Sequence, residues 1–231
     1  MSSRPELRID WATHEAARYA CERWHYSKTI PSNKSNVFGA WENGKFCGVI
    51  IFGLGASPSL GKPYGLGIFE TCELTRVALG RHECEVTRMI SISLRLLRSK
   101  NPGLRLCVSF ADTFHGHHGG IYQGGGWVYS GMSDPSKIWR LQDGSLADPR
   151  RFNGHGHNKK IAVPAGSKLI STPGKHRYLM PLDDAMRAKI APLAKPYPKR
   201  TTRTKDQDAG HHPALGGETP TRALQHQEAG A

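Results

Sequence analysis

Residues 109–127 constrain this chain more than any other stretch. They read Ser-Phe-Ala-Asp-Thr-Phe-His-Gly-His-His-Gly-Gly-Ile-Tyr-Gln-Gly-Gly-Gly-Trp. An apolar run, Leu104 to Ala111, leads in and reads as a buried strand. Asp112 stands where that strand should end. Three histidines and six glycines follow, and Tyr122 precedes Trp127 by five residues. Core positions need bulk. This segment supplies instead groups that bind metals, move protons or hold anions, which makes it the first candidate for an active site. His115, His117 and His118 could form a metal cluster, although adjacent histidines on a glycine loop more often meet phosphate or solvent.

The rest of the chain builds a scaffold for it. Leu7 and Ile9 alternate with charged neighbours, a weak strand signal. Thr13 can cap a helix whose face carries Ala16, Ala20 and Trp24, and that helix delivers His25 and Tyr26 at its C-terminal end. Val37 to Trp41 and Lys45 to Phe52 read as a hairpin, because Asn43 and Gly44 tolerate the positive φ of a tight turn. Gly53 to Gly67 is a loop rich in Gly, Pro and Ser. Glu70 to Leu79 alternates as a strand. Val86 to Leu97 keeps helical spacing until Asn101-Pro102-Gly103 stops it. Trp127 to Tyr129 and Ile138 to Leu141 read as strands, with Lys168 to Ile170 and Arg177 to Met180 as short edge pieces. The order implies a mixed α/β domain with helices packed on a central sheet.

Lys and Arg outnumber Asp and Glu by 32 to 19, a net charge of +13. That balance favours a polyanionic partner, most often nucleic acid. Composition changes near Ala194, so residues 1–194 are expected to form the domain and 195–231 a disordered tail. The tail accounts for little of the charge; the positive surface belongs to the folded part. Five cysteines in odd number, with no C-x-x-C spacing, read as reduced, mostly buried thiols. With no signal-like or membrane-length apolar run, a cytoplasmic, membrane-free protein is expected.

The element order resembles the Gcn5-related N-acetyltransferases. In that family the strand Glu70–Leu79 would meet the cofactor, and the helix from Val86 would receive its pyrophosphate at an N-terminus suited to anions. Tyr122-Gln-Gly-Gly-Gly-Trp127 is similar to that family's Tyr-x-x-x-Gly-Phe, whose tyrosine often acts as general acid. The glycine-rich pyrophosphate loop is missing, replaced by Glu83-Cys84-Glu85-Val86-Thr87-Arg88.

A closer resemblance is to the Mom DNA-modification proteins of Mu-like phages. It rests on Trp24-His-Tyr-Ser-Lys-Thr-Ile-Pro31, Gly61-Lys-Pro-Tyr64, Cys72-Glu-Leu-Thr-Arg-Val-Ala-Leu79, Arg88-Met-Ile-Ser-Ile92, Pro102-Gly-Leu-Arg-Leu106 and the segment from Ser109. The resemblance implies an acetyltransferase-like fold that converts adenine in duplex DNA to N6-(carbamoylmethyl)adenine and so shields phage DNA from restriction. It implicates iron, with acetyl-CoA as a candidate donor. The family's metal and catalytic positions fall on His25, Tyr26, Asp112 and Tyr122. Its cofactor-linked positions fall on Arg76, Thr87 and Arg88. His117, His118, Lys62 and Tyr64 are secondary candidates for substrate binding.

One imidazole, one carboxylate and phenolates form a hard N/O set of the kind iron accepts. Each residue also has a plainer reading: His25 on a helix dipole, Asp112 as a cap, Tyr122 as core, Tyr26 as packing. Lys28, Lys34, Lys62, Arg150, Arg151, Lys159 and Lys160 are candidates for phosphate contacts. Trp41, Trp127, Tyr64 and Tyr129 are candidates to stack on a flipped adenine. Two other functions fit parts of the pattern. A conventional acyl-CoA N-acyltransferase would use the fold and Tyr122; a non-catalytic DNA-binding protein would use the charge alone.

Overall fold

The Asn43-Gly44 turn forms as its chemistry requires. Both residues have positive φ, 49° and 75°, and join strand β2 (Ser35–Glu42) to β3 (Lys45–Gly53). The computed structural model describes residues 5–31, 34–55, 57–153 and 160–199. Strand β1 (Leu7–Trp11) leads into helix α1 (His14–Trp24), capped where Thr13 Oγ1 accepts the Ala16 N–H at 3.2 Å. β4 (Thr71–Leu79), helix α2 (Val86–Lys100) and β5 (Leu106–Ala111) follow. Then come the five-residue helix α3 (Gly120–Gly124) and β6 (Val128–Met132). An excursion holds β7 (Ser136–Arg140), β8 (Leu146–Ala147), helix α4 (Arg150–Asn153) and β9 (Lys168–Thr172). β10 (His176–Pro181) and helix α5 (Asp184–Ile190) complete the described elements.

Seven strands form one mixed sheet in the order β1-β2-β3-β4-β5-β10-β6. Successive residues of β3 divide between its two faces. Ile50 and Phe52 pack with α2 residues Met89, Ile90, Leu94 and Leu97. Val49 and Ile51 pack with α1 residues Ala17, Ala20 and Cys21. Helices therefore cover both faces, as the pattern implies. Phe38, Phe52, Met89, Leu97 and Trp127 are all but sealed from water, each worth about 1.5–3 kcal/mol of transfer free energy. All five cysteines are buried thiols. Among the described residues no helix is long and apolar enough to cross a membrane.

Three expectations need correction. Arg177 to Met180 is not an edge piece: β10 lies between β5 and β6, near the middle of the sheet. Ile138 to Leu141 and Lys168 to Ile170 do not join the main sheet; β7 and β9 pair in a separate three-stranded sheet with β8. Residues 195–199, tail-like in composition, lie across β6. The Lys195 N–H donates to the Tyr129 carbonyl at 2.8 Å and the Tyr197 hydroxyl to the Trp127 carbonyl at 2.7 Å. The remainder of the expected tail, residues 200–231, lies outside the described residues.

One topological detail locates the site. β4 and β5 are the sheet's parallel pair, and their ladder runs only from Thr71↔Leu106 to Leu74↔Ser109. Beyond it β4 stays with β3 as far as Leu79, while β5 stays with β10 as far as Ala111. A cleft opens between their C-terminal ends, the place where parallel strands most often receive ligands.

Candidate active site

Asp112 follows β5 at the mouth of this cleft, and the loop folds back around it. Asp112 Oδ1 accepts the Phe114 N–H at 3.1 Å, and its backbone carbonyl accepts the His115 and His117 N–H groups at 3.1 and 3.0 Å. Lys175 Nζ, from the turn before β10, lies 2.9 Å from Oδ2, and His115 Nδ1 lies 3.5 Å away. Burial pushes the carboxyl up. The hydrogen bonds from His115 and Lys175 and the Lys175 charge outweigh it and hold Asp112 well below the usual carboxylate range. The chain then turns into α3 at Gly119, which has φ +83°, and a Cβ there would overlap the Tyr178 ring.

The end of α1 supplies the opposite wall. The Tyr26 ring stands between His25 and the histidine loop, with centroids 4.3 Å from His25, 4.4 Å from His115 and 5.2 Å from His117. Tyr26 leaves 40% of its surface open, yet its hydroxyl end is buried; that burial and the neighbouring Asp112 push it up to about 12. His25 is 7% exposed. Burial, then Arg76, His117, His115 and Lys28, push it down to about 3. Its ring is therefore neutral at pH 7. Ser27 fixes the ring's orientation, its backbone N–H 3.1 Å and its hydroxyl 2.8 Å from His25 Nδ1.

Tyr122 lies beneath the cleft. Ser109 Oγ is 2.9 Å from the Leu74 carbonyl oxygen and 2.8 Å from the Tyr122 hydroxyl. A serine hydroxyl carries one proton and the carbonyl can only accept, so a chain running Tyr122 to Ser109 to Leu74 satisfies all three groups. It seals the ladder where β4 and β5 part. Burial pushes the Tyr122 phenol far up, against the Ser109 hydrogen bond.

The fold thus gathers His25, Tyr26, Asp112, His115 and His117, with Tyr122 below. Arg76 joins them: its partner across the ladder is Ile51, on the α1 face, and its Nη1 donates to the Thr75 carbonyl at 2.7 Å. Thr87 and Arg88 stand apart on the α2 face, where a Cβ on Gly124 would lie 3.4 Å from Thr87 Cγ2. The three expected cofactor residues do not converge. His118 is held mainly through its backbone, its carbonyl accepting from the Tyr178 hydroxyl and from the Gln123 side-chain amide at 3.1 Å. Lys62 is exposed, while Tyr64 is 4% exposed and packs with Leu66, Val108 and Met186, leaving no open ring for a base. Trp127 and Tyr129 are buried as well, which leaves Trp41 as the partly open member of the four stacking candidates. Lys175 and Ser109 escaped the sequence reading. No local signal marks Lys175, since its partner lies on another strand connection.

Two groups implied by resemblance can be tested against these atoms. For iron, Asp112 already holds a lysine and the Tyr122 proton is committed to Ser109. The stacked rings offer faces, not converging lone pairs. Among the described residues no three His, Cys, Asp or Glu side chains gather to hold an ion. The set as arranged does not fit a metal. For the pyrophosphate of a coenzyme A, the loop before α2 should offer free N–H groups. Here the Glu83 and Cys84 N–H groups donate to the Glu42 carboxylate at 2.9 and 2.6 Å. Glu83 and Glu85 add two more carboxylates beside it. Arg88 Nη1 is buried without a hydrogen-bond partner among the described residues, but one guanidinium does not offset three carboxylates. That end does not fit a pyrophosphate either.

Residues 6–199 match the model of the Mom protein family. A protein described as methylcarbamoylase mom, from Escherichia phage Mu, is 25% identical over 208 residues, covering 84% of each chain. Among solved structures, a Bacillus subtilis acetyltransferase in complex with CoA covers 77% of this chain and 100% of its own, at 15% identity and TM-score 0.44. A phosphinothricin N-acetyltransferase structure covers 78% and 100%, at 14% identity and TM-score 0.42.

Proposed function

Because the chain belongs to the Mom protein family, we propose that it is a transferase that modifies phage DNA, converting adenine in the duplex to N6-(carbamoylmethyl)adenine and protecting that DNA from restriction. The observation that carries this reading is the ionised Asp112, 12% exposed in its side chain, beside the half-open ring of Tyr26. An adenine N6 amine is engaged in pairing, so the base must leave the stack to react. Tyr26, its faces covered by His25 and the histidine loop, offers the flipped base the open edge of its ring. Asp112 offers its N6 amine a hydrogen-bond acceptor that orients it for attack. Lys175 orients that carboxylate, and neutral His25 stands beside it across the Tyr26 ring. No step is assigned to iron or to acetyl-CoA, whose expected positions are already filled by protein groups.

The test is nucleoside mass spectrometry of DNA from cells expressing the full chain. Adenosine heavier by one carbamoylmethyl group supports the reading. Unmodified adenine from cells with abundant folded protein overturns it.

A further inference from the structure

The excursion between β6 and β10 is a second charged feature, of which the site uses only Lys175. Residues 133–175 carry eight Lys and Arg against three Asp and no Glu. Less than a fifth of the chain thus holds more than a third of its net charge of +13. The charge is also placed against the interests of the fold. Arg140 on β7 and Lys168 on β9 are direct register partners, so their side chains leave the same face of the ribbon. Like charges directly opposite are destabilising. Both are exposed, and among the described residues neither forms an ion pair. The nearby Asp143 does not relieve them: its carboxylate is spent on the Ser145 N–H and hydroxyl at 2.9 and 2.6 Å. Lys137, Arg151 and Lys160 are exposed on the same excursion.

The ribbon is rooted beside Asp112. At its base the Ser136 and Thr172 hydroxyls lie 2.8 Å apart. The Ser133 N–H donates to the Lys175 carbonyl at 2.9 Å, and the Lys175 N–H to Ser133 Oγ at 3.0 Å. A Cβ on Gly174 would overlap the Ser133 carbonyl oxygen, so the two strands can approach only with glycine there. Thr113 Oγ1 donates to the Gly174 carbonyl at 2.6 Å, and Lys175 reaches Asp112 at 2.9 Å. From Ser136↔Thr172 to Arg140↔Lys168 is four residues, roughly 13 Å of strand.

We propose that the β7–β9 ribbon is the docking surface for the sugar–phosphate backbone of duplex DNA, with Arg140 and Lys168 each neutralising a phosphate. The proposal rests on the DNA-modification reading and adds the surface that reading lacks. Phosphates relieve the like-charge pair. The rigid root then sets the gripped backbone at a fixed distance from Asp112, which registers one nucleotide on the site.

The full chain and a fluorescent duplex of about twenty base pairs test it, with affinity measured across a salt series. The doubly substituted Arg140→Gln, Lys168→Gln protein should bind roughly ten- to sixty-fold more weakly at 0.1 M salt, with a salt slope lower by nearly 2, at about 0.9 for each phosphate left without its cation. Arg140→Lys should keep the parental slope. The melting temperature of the double variant should not fall, because an internal repulsion is removed; a lower one with an unchanged slope would mark the pair as structural. Unchanged affinity and slope overturn the proposal. Its fate is separable from that of the reaction. A reduced slope with no modified adenine from the parent protein leaves the surface standing and removes the chemistry. Modified adenine with an unmoved slope does the reverse.

Discussion

Strand β5 has a carboxylate–cation pair at each end, and the two behave differently. At its start Arg105 Nε donates to Asp183 at 2.8 Å and Nη2 at 3.2 Å. Asp183 also caps α5, accepting the Met186 N–H at 2.7 Å. These bonds hold α5 against the strand. At the far end Asp112 and Lys175 sit equally close, at 2.9 Å, but in other surroundings. Aromatic rings wall them in, a neutral histidine and a buried tyrosine adjoin them, and the β4–β5 ladder has just opened. The charges alone do not separate a structural pair from a functional one. The parting of β4 from β5 and the other titratable groups gathered there, His25 and Tyr26 among them, do.

That contrast can be broken at several points. The largest effect is expected from Lys175→Met, which leaves a mostly buried carboxylate without its cation. Unpaired buried charges cost about 3–5 kcal/mol, and the 44% exposure of the Lys175 side chain lowers this to about 2–3 kcal/mol. Chemical denaturation should read that loss, and modified adenine should fall with it. A stable, fully active Lys175→Met protein would show the pair to be incidental.

Next in size is a pH effect at the same end. His25 has its folded pKa lowered to about 3 from 6.5. Its contribution is present in full above pH 6.5 and is lost as pH falls toward 3, because the unfolded chain takes up the proton first. Between pH 6.5 and 5 this is worth about 2 kcal/mol. His25→Phe should flatten that part of the stability curve; an unchanged curve would mean that His25 is solvated. The smallest effect belongs to the other end. Asp183→Ala removes a helix cap and the partly exposed partner of Arg105, together about 1–2 kcal/mol, and should lower the melting temperature without changing the yield of modified adenine.

Much of the scaffold could be read from residues alone, for local reasons. Asn43-Gly44 dictates a turn that few other pairs adopt, and the spacing of Met89, Ile90, Ser93, Leu94 and Leu97 has one helical reading. What failed was non-local. His176–Pro181 is short and mixed in polarity, so only its pairing with β5 and β6 makes it central. Tyr64 stands in a loop rich in Gly and Pro and reads as exposed, but a 3-10 turn over Lys62–Tyr64 folds its ring into the core. Lys175 lies on a tight turn with nothing nearby to mark it, and only the return of β10 alongside β5 brings it to Asp112. His25 and Tyr26 could be joined to Asp112 and Tyr122 by family resemblance, whereas spacing alone could not have paired segments so far apart.

The measurement that bears most directly on the site compares the two carboxylates of this strand. DNA is taken from cells expressing the parent chain, Asp112→Asn or Asp183→Asn at matched levels of folded protein, and its nucleosides are weighed. Carbamoylmethylated adenine is expected from the parent and from Asp183→Asn, and none from Asp112→Asn. Modified adenine persisting in Asp112→Asn at the parental level would contradict the role given to that carboxylate.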